Sequence, residues 1–279
     1  MSERDIAHMI SEDEQKLAAG ERITFTVPAR HNPKLQALVD AINEDEELYQ
    51  LWRCANVNAV DRNLMSDHGP VHIKIVANLA LKLLRLLVEA NVPLGIVQHH
   101  EMTPDDAEVV VVLAAALHDL GIAVHRDKHE EFSLFLAHQK ARELLSPIYP
   151  VRERTIVLSE TLHAIIAHHW DVRCYTTEAG VVKVADALDM THGRSRIAFE
   201  SGDINIHSVS AQAIDAVHIR KGEDVPVEIE IVMANSAGIF QVDHLLKRKL
   251  RNSSIAPYVR VLARVEPEME RKIVETYRL

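Results

Sequence analysis

A mainly α-helical chain ending in a small α+β unit is the fold class this sequence predicts, and three observations predict it. Apolar residues recur at helical spacing from the start of the chain to about residue 198. Glycines are few there, and Gly or Pro marks the breaks. After Gly202 the period changes from helical to alternating. The division expected is a helical domain over residues 1–200, with the N-terminal helices of residues 1–65 packed on it, and an α+β domain over residues 201–279. A chain of 279 residues, 47% of them hydrophobic, is long enough to bury a substantial core.

Taken in order, residues 5–19 read as a polar surface helix and residues 23–28 as an extended segment. Residues 33–42 and 44–57 read as two short helices. Ser66 or Asp67 can cap the next helix, residues 71–89, which is apolar on nearly every side, as a central helix should be. Thr103-Pro104-Asp105-Asp106 starts another, with Pro in the first turn and acids near the positive end of the dipole. It runs through the most apolar stretch of the chain to His118-Asp119 and is closed by Gly121. Helices are expected at residues 130–145, 151–169 and 181–190. Strands follow at residues 204–207, 216–219, 227–232 and 258–265, with an amphipathic helix over residues 240–250. There is no internal repeat, low-complexity segment or Gly-rich phosphate loop.

Charge narrows the function classes. Lys plus Arg total 31 against 41 Asp plus Glu, a formal charge of -10, so sequence-independent binding to nucleic acid or to an anionic membrane is not expected. Cys54 and Cys174 are far apart and in no metal-ligand spacing, which argues for a reducing compartment. The opening Met1-Ser2-Glu3-Arg4-Asp5 lacks the layout of a signal peptide, and no uncharged apolar run approaches the ~20 residues that span a bilayer. The expectation is a soluble cytoplasmic protein.

Seventeen histidines are present, and several stand at helix ends beside carboxylates. His68 and His72 are four apart near a helix start, so they share one face. His118-Asp119 ends an apolar helix, His168-His169 ends another, and Asp186 interrupts Val184-Ala185 and Ala187. Taken singly, each has a bland reading as a helix terminus, a cap or an arginine partner. Jointly they would leave many buried polar groups without partners, at about 1–3 kcal/mol each, and a shared metal ion compensates that cost.

The order His72, His118-Asp119, His168-His169, Asp186 resembles the HD superfamily of metal-dependent phosphohydrolases. His72 followed by Val76-Ala77 is similar to the family's opening helix, Leu117-His118-Asp119-Leu120-Gly121 to its namesake dyad, and Val184-Ala185-Asp186-Ala187 to its final metal-binding Asp. The likeness covers about residues 66–196. His168-His169 is similar to the paired His of the cyclic dinucleotide phosphodiesterases of the superfamily, and His129 to an extra His of its binuclear dinucleoside polyphosphate hydrolases. Ile122 stands where the first of these groups has Lys, and no Gly-Tyr-Pro triplet follows His169, so cyclic dinucleotide hydrolysis is not supported.

The resemblance implies an HD-domain helical bundle that holds two divalent ions. His and carboxylate donors suit Mn, Fe, Co, Ni or Zn. One ion would take His72, His118, Asp119 and Asp186; the second would take His129, His168 and His169, with Asp119 as bridge and His68 as the candidate ligand of a third. Asp189 would orient a ligand imidazole. Arg194 is the preferred phosphate clamp, with Arg196, Arg126 and Lys128 as further substrate-binding groups. The expected activity is hydrolysis of a phosphomonoester or phosphodiester in a nucleotide or related small molecule. A di-iron oxygenase and a non-catalytic nucleotide-binding signalling module are the alternatives. The tail could form a homodimer.

Overall fold

A computed structural model of the chain describes residues 13, 15–16, 20–190, 210 and 213–265. The first expected helix lies almost wholly outside the described residues, and so do the strand expected at residues 204–207 and the boundary expected near residue 200.

The chain is mainly α, with a three-stranded sheet towards its C-terminal end. Helix α1 (Pro33–Glu44) starts on Asn32, whose side chain accepts from the Leu35 amide, and Asp45 does the same for α2 (Glu46–Asn56) through the Leu48 amide. The second helix continues into a π turn, Val57–Arg62, which sequence periodicity does not reveal. From that turn Asn58 Nδ2 donates to the carbonyls of Ile122 at 2.7 Å and Ala123 at 3.0 Å.

Helix α3 (Pro70–Glu89) is buried almost all round and forms the axis of the bundle. Its N-cap is Gly69, neither Ser66 nor Asp67; Asp67 contributes by accepting from the amide of His72 at 3.1 Å. Proline at the first helical position forgoes one donor, so a carboxylate five residues before His72 can serve the next free one. The short α4 (Gly95–His100) is an element the sequence did not suggest. Its amides at Gly95 and Ile96 are both taken, at 3.0 Å, by the buried carboxylate of Glu178.

Helix α5 (Pro104–Leu117) starts on a capping box, with Asp106 returning to the Thr103 amide at 2.9 Å, and is buried from Asp106 onwards. At its other end Trp52 Nε1 donates to the Ala116 carbonyl at 2.8 Å. A 3-10 turn, Leu120–Ala123, leads towards α6 (His129–Leu145), followed by α7 (Val151–Ala167) and α8 (Thr177–Leu188). The last starts four residues earlier than expected because Thr176 caps the Ala179 amide and Glu178 is consumed by α4.

Gly121 does not close α5 through a left-handed turn, since Gly20 is the one described glycine with positive φ. What it provides is close approach. A Cβ at Gly121 would stand 2.0 Å from the His129 carbonyl oxygen and 2.5 Å from the Ser133 amide. The backbone after Asp119 therefore lies directly on α6.

In the tail, β1 (Ile214–Lys221) pairs antiparallel with β2 (Val227–Met233), and β2 pairs parallel with β3 (Val259–Val265). A parallel neighbour needs a crossover. Here it is a helical stretch made of Ile239–Gln241, a π turn at Val242–Leu246, and Lys247–Arg251, so the expected amphipathic helix is present in broken form. One hydrophobic core includes α3, α5 and the sheet residues Ile219, Ile229 and Ile231. Among the described residues no helix is long and apolar enough to cross a membrane.

Candidate metal centre

Five helices deliver imidazoles and carboxylates to one buried place. His72 comes from the first turn of α3, His118 and Asp119 from the end of α5, His129 from the first position of α6, His168 from the end of α7, and Asp186 from α8. Five of the six are buried and Asp186 is partly so.

The donor atoms fall into two sets joined by Asp119, and a further grouping of His118, His168 and Asp186, with ligand atoms within 4.8 Å of one another, spans them. In the first, His72 Nε2 lies 3.3 Å from His118 Nε2, 3.2 Å from Asp119 Oδ2 and 3.5 Å from Asp186 Oδ1. His118 Nε2 lies 3.3 Å from Asp119 Oδ2 and 3.7 Å from Asp186 Oδ1. In the second, His129 Nε2 lies 3.2 Å from Asp119 Oδ1 and 3.3 Å from His168 Nε2, and His168 Nε2 lies 3.8 Å from Asp119 Oδ1. Donors bonded to one tetrahedral ion at about 2.0–2.1 Å stand about 3.3–3.4 Å from each other. The observed separations scatter around that edge length.

The outward faces of three rings support the same tautomer. His72 Nδ1 is 2.6 Å from Asp189 Oδ2, and His118 and His168 direct Nδ1 at the carbonyls of Ala115 (2.9 Å) and Ile165 (2.6 Å). An Nδ1–H donating outward leaves the Nε2 lone pairs of these three facing the centre, as metal ligation requires. His129 Nδ1 has both the Arg126 carbonyl at 3.1 Å and Arg126 Nη1, a donor, at 2.6 Å, so its contacts do not select a tautomer. Asp119 Oδ2, buried, accepts no hydrogen bond among the described residues. A cation is what a buried, unbonded carboxylate oxygen among imidazole nitrogens fits.

Electrostatics agree. Burial pushes the Asp119 carboxyl up, but the His118 charge and the closeness of the His129 and His72 imidazoles outweigh it and hold it well below the usual carboxylate range. Burial pulls the His118 imidazole down, yet the carboxylates of Asp119 and Asp186 push it up to about 10. His168 goes the other way, held well below 6.5 by burial and by the positive charge of its neighbours. Without a metal, a proton on His118 is thus the cation that the two carboxylates retain.

A second layer fixes the dyad. Ser133 Oγ donates to the His118 carbonyl at 2.6 Å and accepts from the Gly121 amide at 2.8 Å. Sequence reasoning missed Ser133, and Asn58 with it, since neither side chain ionises.

The remaining predicted residues divide as follows. His68 packs its ring 5.3 Å from that of His72 and sets Nδ1 2.7 Å from the Ser66 carbonyl, beside the donor groups and outside them. His169 does not join His168: its Nδ1 accepts from the Asp171 amide at 3.3 Å and its ring tilts against Trp170. Both residues lie past the last helical position of α7, and only His168 directs its ring to the centre. Arg126 places Nη1 2.6 Å from His129 Nδ1, and Lys128 is exposed at a φ of 60° just before α6. Arg194 and Arg196 lie outside the described residues.

One group was not foreseen. Lys249 Nζ, from the crossover of the tail, is paired with Asp186 Oδ2. Burial pushes the Asp186 carboxyl up, and the Lys249 ammonium with the His118 and His72 imidazoles holds it well below its ordinary value.

A buried four-helix convergence of His, His-Asp, His and Asp is the signature of the HD domain, and the HD domain family model matches residues 71–191, which hold every donor described above. The chain belongs to the HD superfamily, whose domain is typical of metal-dependent hydrolases. It is similar to Uncharacterized protein MJ1020 of Methanocaldococcus jannaschii, with 39% identity over 236 residues, spanning 85% of this chain and 90% of the relative. No solved structure matches.

Proposed function

We propose that the protein is a binuclear phosphohydrolase acting on a phosphomonoester or phosphodiester of a nucleotide or related small molecule. The observation that carries the reading is the position of Asp119, whose Oδ2 belongs to the set with His72, His118 and Asp186 and whose Oδ1 belongs to the set with His129 and His168. A carboxylate with each oxygen in a separate nitrogen-rich set suits two ions about 3.5–4 Å apart. Divalent ions held there would supply Lewis acidity towards a phosphoryl oxygen and lower the pKa of water to near neutrality.

The protein's own contribution is positioning. Asp189 and the carbonyls of Ala115 and Ile165 hold the rings, and Ser133 holds the dyad's backbone. The apolar shell of α5 and α3 excludes water, which strengthens each charge interaction at the centre. Mn, Fe, Co, Ni and Zn all fit a His and carboxylate donor set. A small phosphorylated substrate, a cytoplasmic location and a homodimer formed through the tail belong to the same proposal.

The test is a phosphate-release panel of mono- and diesters run on protein loaded in turn with Mn, Zn and Fe. Turnover that disappears with a chelator and returns with metal supports the reading. A fully loaded sample inert to every ester contradicts it; oxygen uptake by the iron form would point instead to oxygenation.

A further inference from the structure

A cationic side chain in contact with a donor of the first set comes from outside the helical bundle. Lys249 reaches Asp186 from 63 residues further along the chain, out of the crossover between β2 and β3. The surrounding segment is tied down on both sides. Asn252 Nδ2 donates to the Trp170 carbonyl at 2.8 Å, and the Asn252 carbonyl accepts from the Cys174 amide at 3.3 Å. Ser254 Oγ donates to the Thr176 carbonyl at 2.5 Å, and the Arg248 guanidinium lies 5.1 Å from the centre of the Trp170 ring. Gly180 of α8 allows this approach, since a Cβ there would meet Ser254 Oγ at 2.3 Å. The lysine is therefore placed by a fixed scaffold.

Exposure says where the centre opens. The side chains of His72 and His118 are 0% exposed, those of Asp119, His129 and His168 are 4%, 7% and 3%, whereas Asp186 and Lys249 are 15% and 16%. Of these seven side chains Asp186 and Lys249 are the most exposed, so a solute can reach the donors there. A phosphoryl group that enters there passes an ammonium, a compact point charge suited to phosphate oxygens.

We propose that Lys249 anchors the phosphoryl group of the substrate, so that the tail supplies part of the binding site; the proposal rests on the phosphohydrolase reading above. Asp186 offers Oδ1 to the donor set and Oδ2 to the lysine. Nζ can thus exchange Oδ2 for an incoming phosphate oxygen without moving the carboxylate from its donor set. No bond forms or breaks in the protein; the step is an exchange of hydrogen-bond partners.

The probe is inorganic phosphate, titrated calorimetrically into the full-length, manganese-loaded protein, with metal content measured on the same samples. Lys249→Gln, and Lys249→Met as a second neutral form, should keep the metal of the wild type and bind phosphate about ten- to a hundredfold more weakly, the loss expected for one hydrogen bond to a charged group. Lys249→Arg should recover most of that loss. Lys247→Gln, which removes only the exposed partner of Asp243, should match the wild type. Unchanged phosphate affinity in both neutral variants with full metal overturns the anchor and leaves the hydrolase reading standing. Loss of metal along with phosphate also overturns it, because the lysine would then position Asp186. A loaded wild type that binds no phosphate sinks the anchor and the hydrolase reading together.

Discussion

The two ends of α5 carry buried charges that are handled in opposite ways. At the start, Asp106 receives Lys34 at 2.7 Å, Tyr149 Oη at 2.8 Å and Thr103 Oγ1 at 2.7 Å, while Glu108 receives Arg85 at 2.7 Å and Asn32 at 3.0 Å. Burial pushes both carboxyls up, but these donors hold both below their ordinary values. At the end, His118 and Asp119 meet other imidazoles and carboxylates at 3.2–3.8 Å, and one carboxylate oxygen accepts nothing. Satisfied buried charge is architecture, whereas imidazoles and carboxylates crowded around one point, with a carboxylate oxygen left unbonded, mark a place prepared for a cation.

Substitutions at the two ends should separate these roles. The largest effect is expected for Asp119→Asn, which removes the carboxylate common to both donor sets: metal-dependent turnover should fall by more than about a thousandfold, about 4 kcal/mol of barrier. The metal-free protein should also lose the stability that the His118 charge draws from Asp119. Asp106→Ala should act on stability alone. It breaks the capping box, worth about 1 kcal/mol, and strands the Tyr149 hydroxyl, at about 1–3 kcal/mol, so denaturant titration should show a loss of about 2–4 kcal/mol. Turnover per folded molecule should stay near the wild-type value. If Asp106→Ala instead abolished activity at unchanged stability, the contrast between the two ends would be void.

A finer comparison lies within the centre. Asp189→Asn weakens the partner of His72 Nδ1 without deleting a donor, and competition with a chelator should show metal affinity reduced about ten- to a hundredfold. An effect as large as that of Asp119→Asn would mean that Asp189 is itself a ligand.

Taken per pH unit, the smallest effect is one of pH. The His118 imidazole, raised to about 10 in the metal-free protein, must lose its proton to ligate. Metal affinity should therefore rise by up to tenfold per pH unit between neutrality and about pH 10, and calorimetry in buffers of different ionisation enthalpy should show close to one proton released at neutral pH. The same shift sets the sign for the metal-free fold. A folded pKa above the unfolded value of 6.5 gives stability that is present below about pH 6.5 and lost as pH rises through about 10. Metal uptake independent of pH over that span would refute the proton on His118.

Much of this was readable from the chain because chemistry and periodicity coincided. His118-Asp119 follows an apolar run too long to be surface, and His72 stands at the start of a helix apolar on every side, so both donors are buried by sequence alone. His168-His169 was legible only in part. The dipeptide announces imidazole at a helix end, and which of the two faces inward is decided by the irregular backbone after Ala167 and by the Asp171 amide that holds His169. Lys249 was illegible for a different reason. It sits in Lys247-Arg248-Lys249-Leu250-Arg251, a basic run that reads as a solvated helix face, and its contact with Asp186 depends on how a parallel strand pair routes its crossover. Asn58 and Ser133 are uncharged residues whose value lies in the carbonyls they reach across the fold. Glu178, which falls between the helices expected at residues 151–169 and 181–190, is spent on the amides of a helix too short to show a period.

Anomalous scattering from crystals of metal-loaded protein tests the central claim most directly. The account requires two peaks about 3.5–4 Å apart with Asp119 between them, one against His72, His118 and Asp186 and the other against His129 and His168. Fully loaded crystals with no peak at these residues, or with metal bound elsewhere, would contradict it.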